Sequence, residues 1–375
     1  ILWSGPVVAA GPGSRFVIDA TTQVVRDAHE VVARLREVDS PEWSLDPDRS
    51  LPELDACVAF PDNVELEATV TFSGKRPGTE VVSVTPRPDS VTLRVHQSIV
   101  RLPDDRFDAR PFDPRSGSFA VAWRDYAAPL DEPVDRRFLV RHRLIPIDPS
   151  ARPRVPVRPI VYHVDRGIPE PIRTAVLEGA SWWSAAFEAA GWQDAFRVEL
   201  LPEGIDPLDA RYNVVQWVHR STRGWSYGGG IVDPRTGERI KGHINLGSLR
   251  VRQDRLLFEG LTGTDRTGTG APDDPIVLAL ARIRQLAAHE VGHALGFDHN
   301  FAASTYGDRA SVMDYPAPRV GILEDGSFDL SDAYGVGVGR WDLQAARYAY
   351  GAWPDAAAEQ TALDAILREN ASRGW

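Results

Sequence analysis

Residues His289-Glu290-Val291-Gly292-His293 put two imidazoles four positions apart. On a helix that spacing stacks both rings on one face, within reach of a single metal ion. Imidazole nitrogen is a preferred donor to zinc, and a catalytic zinc site takes three protein ligands and leaves its fourth position to water. Glu290 adjoins a ligand in the chain and so points to a neighbouring sector, where its carboxylate can reach that water without binding the metal. A third ligand requires the chain to turn back after the helix. Gly296 stands three residues past His293, where the left-handed helix-ending conformation is inexpensive only for glycine, and His299 completes the string H-E-x-x-H-x-x-G-x-x-H. The short form H-E-x-x-H also arises by chance on exposed helix faces; the long form is far more specific. The expected chemistry is hydrolysis of a peptide bond, with zinc as Lewis acid and Glu290 as general base.

The elements that must position these residues can be read outward from the string. Asp273-Asp274-Pro275 has the form of a cap and first turn, and Ile276, Leu280, Ile283 and Ala287 make the buried stripe of a long helix that runs into His289. Upstream, strands are expected at 160–164, 196–200 and 212–218, with a helix over 169–191 that ends at Gly191. Gly228-Gly229-Gly230 is followed by no helix, so it reads as a loop with a strand entering it and not as a phosphate cradle. A short edge strand is expected at 244–246. The proline-rich stretch 146–159 suggests a boundary near residue 150. Residues 1–150 then form a β-rich N-terminal region with one amphipathic helix over 21–38, serving as pro-segment or accessory domain, and 151–375 form the catalytic domain. The fold class is α/β in the broad α+β sense.

Composition sets bounds on function. The chain has 375 residues, 43% of them apolar and 25% charged, which are globular proportions. No apolar run approaches the roughly 18 residues of a membrane span. A net charge of −11 with no basic stripe excludes nucleic acid as the expected partner. The partner expected is a peptide or protein substrate. The chain opens at Ile1, its basic residues are almost all arginine, and its one methionine is Met313, so a processed or partial bacterial chain, secreted or extracytoplasmic, is expected. Cys57 is the single cysteine, so no disulfide forms within the chain.

With His289 to His299 goes Ser311-Val312-Met313-Asp314-Tyr315, and together they resemble the metzincin clan of zinc peptidases. The longer text 233–238, 288–299, 301–304 and 311–316 is similar to the bacterial Met-zincin family, and 60–63 with 129–133 resemble the region that precedes its catalytic domain. The resemblance implies a twisted mixed sheet, an active-site helix and a small lower subdomain after Gly296. It implies that Met313 packs in a tight turn beneath the metal, and that Tyr315 lies close enough to donate to the oxyanion. It also implies an edge strand that pairs with an extended substrate, expected at His243, Ile244, Asn245 and Leu246; His243 is a cleft residue there and not a ligand. Two further readings carry less. Cys57 could silence the zinc in a latent form, but its surroundings read as a buried strand. Asp325, Asp329 and Asp332 lack the spacing of a calcium loop and read as a solvated turn. The alternative to an active peptidase is a catalytically silent or latent binding module of the same fold, against which an intact Glu290 argues.

Overall fold

A computed structural model describes residues 4–38, 42–75, 77–220, 225–306, 308–315 and 317–375. The chain forms two compact units, Ile1–Arg101 with Leu208–Ala210, and Leu102–Pro207 with Arg211–Trp375.

The first unit is built on an antiparallel sheet. Its long strand Asn63–Gly74 pairs with Trp43–Pro52, with Val58–Ala59 and, along its full length, with Ser90–Val100. Ala68, Val70 and Phe72 of the long strand alternate into a core completed by Trp43, Val95 and Val24. The helix expected over 21–38 is two helices, Thr21–Val24 and Val31–Val38. Glu30 between them has φ 55°, and the Asp27 carboxylate accepts from the Val31 and Val32 N–H groups at 2.7 and 2.9 Å. That carboxylate starts a fresh helix by taking up its first free donors, a local effect that apolar periodicity does not register. The Cys57 thiol lies 3.8 Å from the Glu67 carbonyl and 3.5 Å from the Glu67 nitrogen.

The second unit is a mixed sheet covered by helices. Its elements are β1 (Ile160–Val164), α1 (Ile172–Ser181), α2 (Trp183–Ala189), β2 (Phe196–Leu200), β3 (Asn213–Val218), β4 (Tyr227–Val232), β5 (Arg239–Gly247), α3 (Leu249–Thr262), α4 (Pro275–Leu295), α5 (Arg340–Tyr350) and α6 (Ala356–Arg373). The strand order is β2-β1-β3-β5-β4, parallel except for β4, which runs antiparallel to β5. Among the described residues no helix is long and apolar enough to cross a membrane.

His243, Ile244, Asn245 and Leu246 were expected at the sheet edge, and this is corrected: they lie in β5, hydrogen-bonded on one side to β3 and on the other to β4. The edge strand is β4, which contains the Gly228-Gly229-Gly230 run read as a loop. Its composition argues against a strand, but its position requires glycine. A Cβ on Gly228 would stand 1.9 Å from the Glu290 carbonyl oxygen, and one on Gly230, where φ is 145°, 1.9 Å from that of Lys241. At Gly228 the strand thus crosses α4 at a distance that no side chain permits.

Residues 102–150 pack within this second unit. The buried Arg110 guanidinium donates to the carbonyls of Tyr348, Ala349 and Gly351 and meets Glu359 at 3.0 Å. The Phe119 N–H donates to the Gly296 carbonyl at 2.8 Å.

Candidate metal centre

The site is assembled on α4. Asp274 caps this helix, its carboxylate accepting from the Ile276 N–H at 2.8 Å with Pro275 in the first turn. Its buried face sets Ile283, Ala287 and Val291 into the core. Apolar burial of this kind contributes roughly 1.5–3 kcal/mol per large side chain, enough to hold the helix against the sheet. Trp183 adds a directional tie, its indole N–H donating to the Ala288 carbonyl at 2.7 Å.

The helix ends at Gly296 with φ 109°, and a Cβ there would also collide with the Val140 carbonyl at 2.0 Å. Conformation and space both demand glycine at the bend that returns His299 to the site. Beyond His293, whose carbonyl also accepts from the Gly296 N–H at 3.0 Å, the last carbonyls of the helix would otherwise be orphaned in the interior. That of His293 accepts from Arg239 at 3.3 Å, that of Ala294 from the Tyr162 hydroxyl at 3.0 Å, and that of Leu295 from the Tyr350 hydroxyl.

His289, His293 and His299 bring one ring nitrogen each to within 4.8 Å of one another. His289 Nδ1 lies 2.7 Å from the Val312 carbonyl oxygen, and His293 Nδ1 lies 2.8 Å from that of Phe297. A carbonyl can only accept, so both Nδ1 atoms carry the proton and both Nε2 atoms present a lone pair. His293 Nε2 and His299 Nε2 stand 3.1 Å apart. Two nitrogens bound tetrahedrally to one zinc at roughly 2.0–2.1 Å would be about 3.3 Å apart, so the donor set fits that ion. Burial, with the neighbouring His293 adding to it, lowers the His289 pKa to about 3; burial also lowers that of His293. Both rings are therefore neutral, the form that ligates.

Glu290 is buried beside this cluster. Desolvation raises its carboxyl to about 7, against the lowering influence of the Gly228 N–H and of Arg282. Met313 is 1% exposed, and its sulfur occupies the space where a Cβ on Gly292 would lie, at 2.2 Å. It therefore packs against the helix at the residue before His293, between the two ligand positions.

Tyr315 is 61% exposed, its ring centre 5.2 Å from that of His289 and 4.6 Å from that of His299. Desolvation, followed by the charge of Glu290, raises the pKa of its hydroxyl. Among the described residues that hydroxyl has no hydrogen-bond partner. His243 is on β5, its ring 3.4 Å from the Asn245 side chain and apart from the three-histidine cluster.

Several residues at the site carry no motif. The Phe119 ring lies 5.5 Å from that of His293. Asp342, fully buried at the start of α5, accepts from the Ser311 hydroxyl at 2.6 Å and the Val312 N–H at 2.8 Å, and so holds the segment whose carbonyl orients His289. An acidic residue in a helix's first turn is a readable signal, but its partners thirty residues upstream are not.

Two histidines on a helix and a third on the loop after it, with a methionine packed against that helix, form the arrangement expected of a metzincin-type site. Residues 271–375 match the family model described as Met-zincin, and residues 1–147 match one described as a domain of unknown function. The second match therefore runs past the first compact unit into the second. No curated protein matches the chain.

Proposed function

We propose that the protein is a zinc-dependent endopeptidase. The observation that carries this reading is the convergence of three imidazole nitrogens, two with their protons tied to backbone carbonyls, beside a buried carboxylate. His289, His293 and His299 would hold the ion, which when bound supplies a Lewis acid for the scissile carbonyl and acidifies a water. Strand β4 offers its free edge to an extended substrate, whose main chain extends the sheet and is thereby aligned over α4. Glu290 takes the proton of the attacking water and delivers it to the leaving amine; a carboxyl raised towards neutrality suits both transfers. Tyr315 turns its hydroxyl to the oxygen on which negative charge develops.

Elemental analysis and a casein digest test this together. About one zinc per chain and proteolysis that stops on chelation and returns with added zinc are expected. Zinc uptake with no proteolysis would favour a silent or latent binding module, and no uptake would remove the metal reading itself.

A further inference from the structure

Beside Glu290 lies a cavity of about 280 Å³, lined by Leu286, Arg282 and Tyr315 and, from α3, by Arg250 and Gln253. This is just below the size of pockets that take whole small ligands and suits a single side chain. Arg282, Leu286 and Glu290 follow one another at four-residue steps, so they form one stripe along α4. The rise of the helix separates the Cα atoms of Arg282 and Glu290 by about 12 Å.

The charges in this cavity are unequally satisfied. Arg250 is paired with Asp254 at 3.0 Å. Arg282 donates to the Gln285 side chain at 2.6 Å, and no carboxylate lies within ion-pair distance of it among the described residues. A guanidinium has five N–H donors, so most of those on Arg282 are left for a ligand. Glu290 is the other ionisable group on the stripe, two turns away and engaged with the reaction.

We propose that this cavity receives the side chain of the substrate residue that follows the scissile bond, and that Arg282 selects a glutamate or aspartate there. The inference rests on the peptidase reading above. Glu290 must reach the leaving nitrogen, and that nitrogen's own Cα carries the next side chain, so this side chain starts beside Glu290. The cavity leads from there along the stripe to Arg282. Gln253 and the apolar flank of Leu286 fit the stem and the second carboxylate oxygen.

Two measurements on the full chain test this separately from the peptidase reading. Zinc-loaded protein is given a randomised peptide library, and the residue after each cut is counted. Glutamate and aspartate should be enriched at least about tenfold over glutamine and asparagine, since a charge-assisted hydrogen bond exceeds the value of one such factor. Arg282→Gln should abolish the enrichment while the variant keeps its zinc and its circular dichroism. Arg282→Lys should retain an acidic preference, because the cation remains. Cutting without acidic enrichment, or enrichment that survives Arg282→Gln, overturns the proposal. In the second measurement, calorimetry on the zinc-free protein compares a blocked oligoglycine peptide carrying one glutamate with its glutamine counterpart. The glutamyl peptide should bind at least about tenfold more tightly in wild type and equally in Arg282→Gln. If the library is not cut at all, the peptidase reading fails, and equal binding of the two peptides then overturns the pocket independently.

Discussion

The two halves of the candidate metal centre are built differently. His289 and His293 are buried on α4, and each has its ring proton tied to a backbone carbonyl. His299 and Tyr315 follow the helix on loops; the His299 ring stacks on Phe301 at 5.1 Å, and its Nδ1 reaches no closer than 4.0 Å to the neighbouring Asp298 carboxylate. The helix half is therefore oriented before any ligand arrives, whereas the loop half has fewer ties to break if it must move. Orientation of the first kind favours tight metal binding, and freedom of the second kind suits groups that adjust to a substrate.

The largest expected effect comes from attacking the oriented half. His293→Ala should yield protein without zinc after dialysis, measured by elemental analysis. His299→Ala keeps the preformed pair on the helix and should still take up zinc from excess metal, though weakly. Equal loss in the two variants would erase the distinction between the halves. Next in size is Glu290→Gln, which should retain zinc while turnover of a peptide substrate falls by ~10²–10⁴-fold, the usual worth of positioned proton transfer. Near-normal turnover by the zinc-loaded variant would remove Glu290 as the base.

Tyr315→Phe probes the loop half. It removes one oxygen from an exposed side chain whose hydroxyl has no partner among the described residues, so stability should hardly change. A role at the oxyanion predicts a fall in kcat of up to ~10²–10³-fold with KM nearly constant and zinc retained. Unchanged kcat would return Tyr315 to a packing role.

The oriented half was also the more legible in the sequence. The cap at Asp274 and the glycine bend at Gly296 are local signals that appear in the structure at the residues expected, and of the expected stripe Ile283 and Ala287 are buried whereas Ile276 is 38% exposed. What sequence could not supply is tertiary. Strand β4 was obscured because its glycines answer to the close approach of Glu290 and Lys241 and not to strand propensity. Helix α3, which brings Arg250 and Gln253 to the cavity, has a weak apolar stripe because its buried residues are only Asp254 and Phe258. Residues 102–150 read as part of the N-terminal region, and the family match over 1–147 groups them the same way, although nothing in the local text shows that Arg110 ties to carbonyls more than two hundred positions away. The single helix expected over 21–38 failed for the opposite reason, a local carboxylate that outweighed good periodicity.

The smallest effect expected lies one step behind the oriented half, at Asp342. Its two carboxylate oxygens accept from the Ser311 hydroxyl, the Val312 N–H and, at 2.6 Å, the Gly339 N–H. The Val312 carbonyl in turn receives the His289 ring proton, so Asp342 is a positioning residue for a ligand it does not touch. Asp342→Asn keeps the shape, but with its amide oxygen on the Val312 and Gly339 N–H groups its N–H₂ faces the Ser311 hydroxyl, whose own buried proton then loses its acceptor at about 1–3 kcal/mol. Zinc affinity should fall by roughly 10–100-fold, as is typical when the partner of a ligating histidine is disturbed, while His289→Ala should lose far more. Acidity supplies a second readout. Burial, outweighing those hydrogen bonds, raises the Asp342 pKa from the ordinary 3.8 to about 6. The folded state therefore binds this proton more readily than the unfolded chain does. Its contribution to stability is fully present below pH 3.8 and is lost as pH rises through about 6. Thermal melts of the wild type and Asp342→Asn between pH 4 and 7 should thus differ in slope, the wild type losing stability relative to the variant as pH rises across that window. Parallel melting curves, together with unchanged zinc affinity, would show that His289 is oriented without help from Asp342 and that the helix half stands on its own.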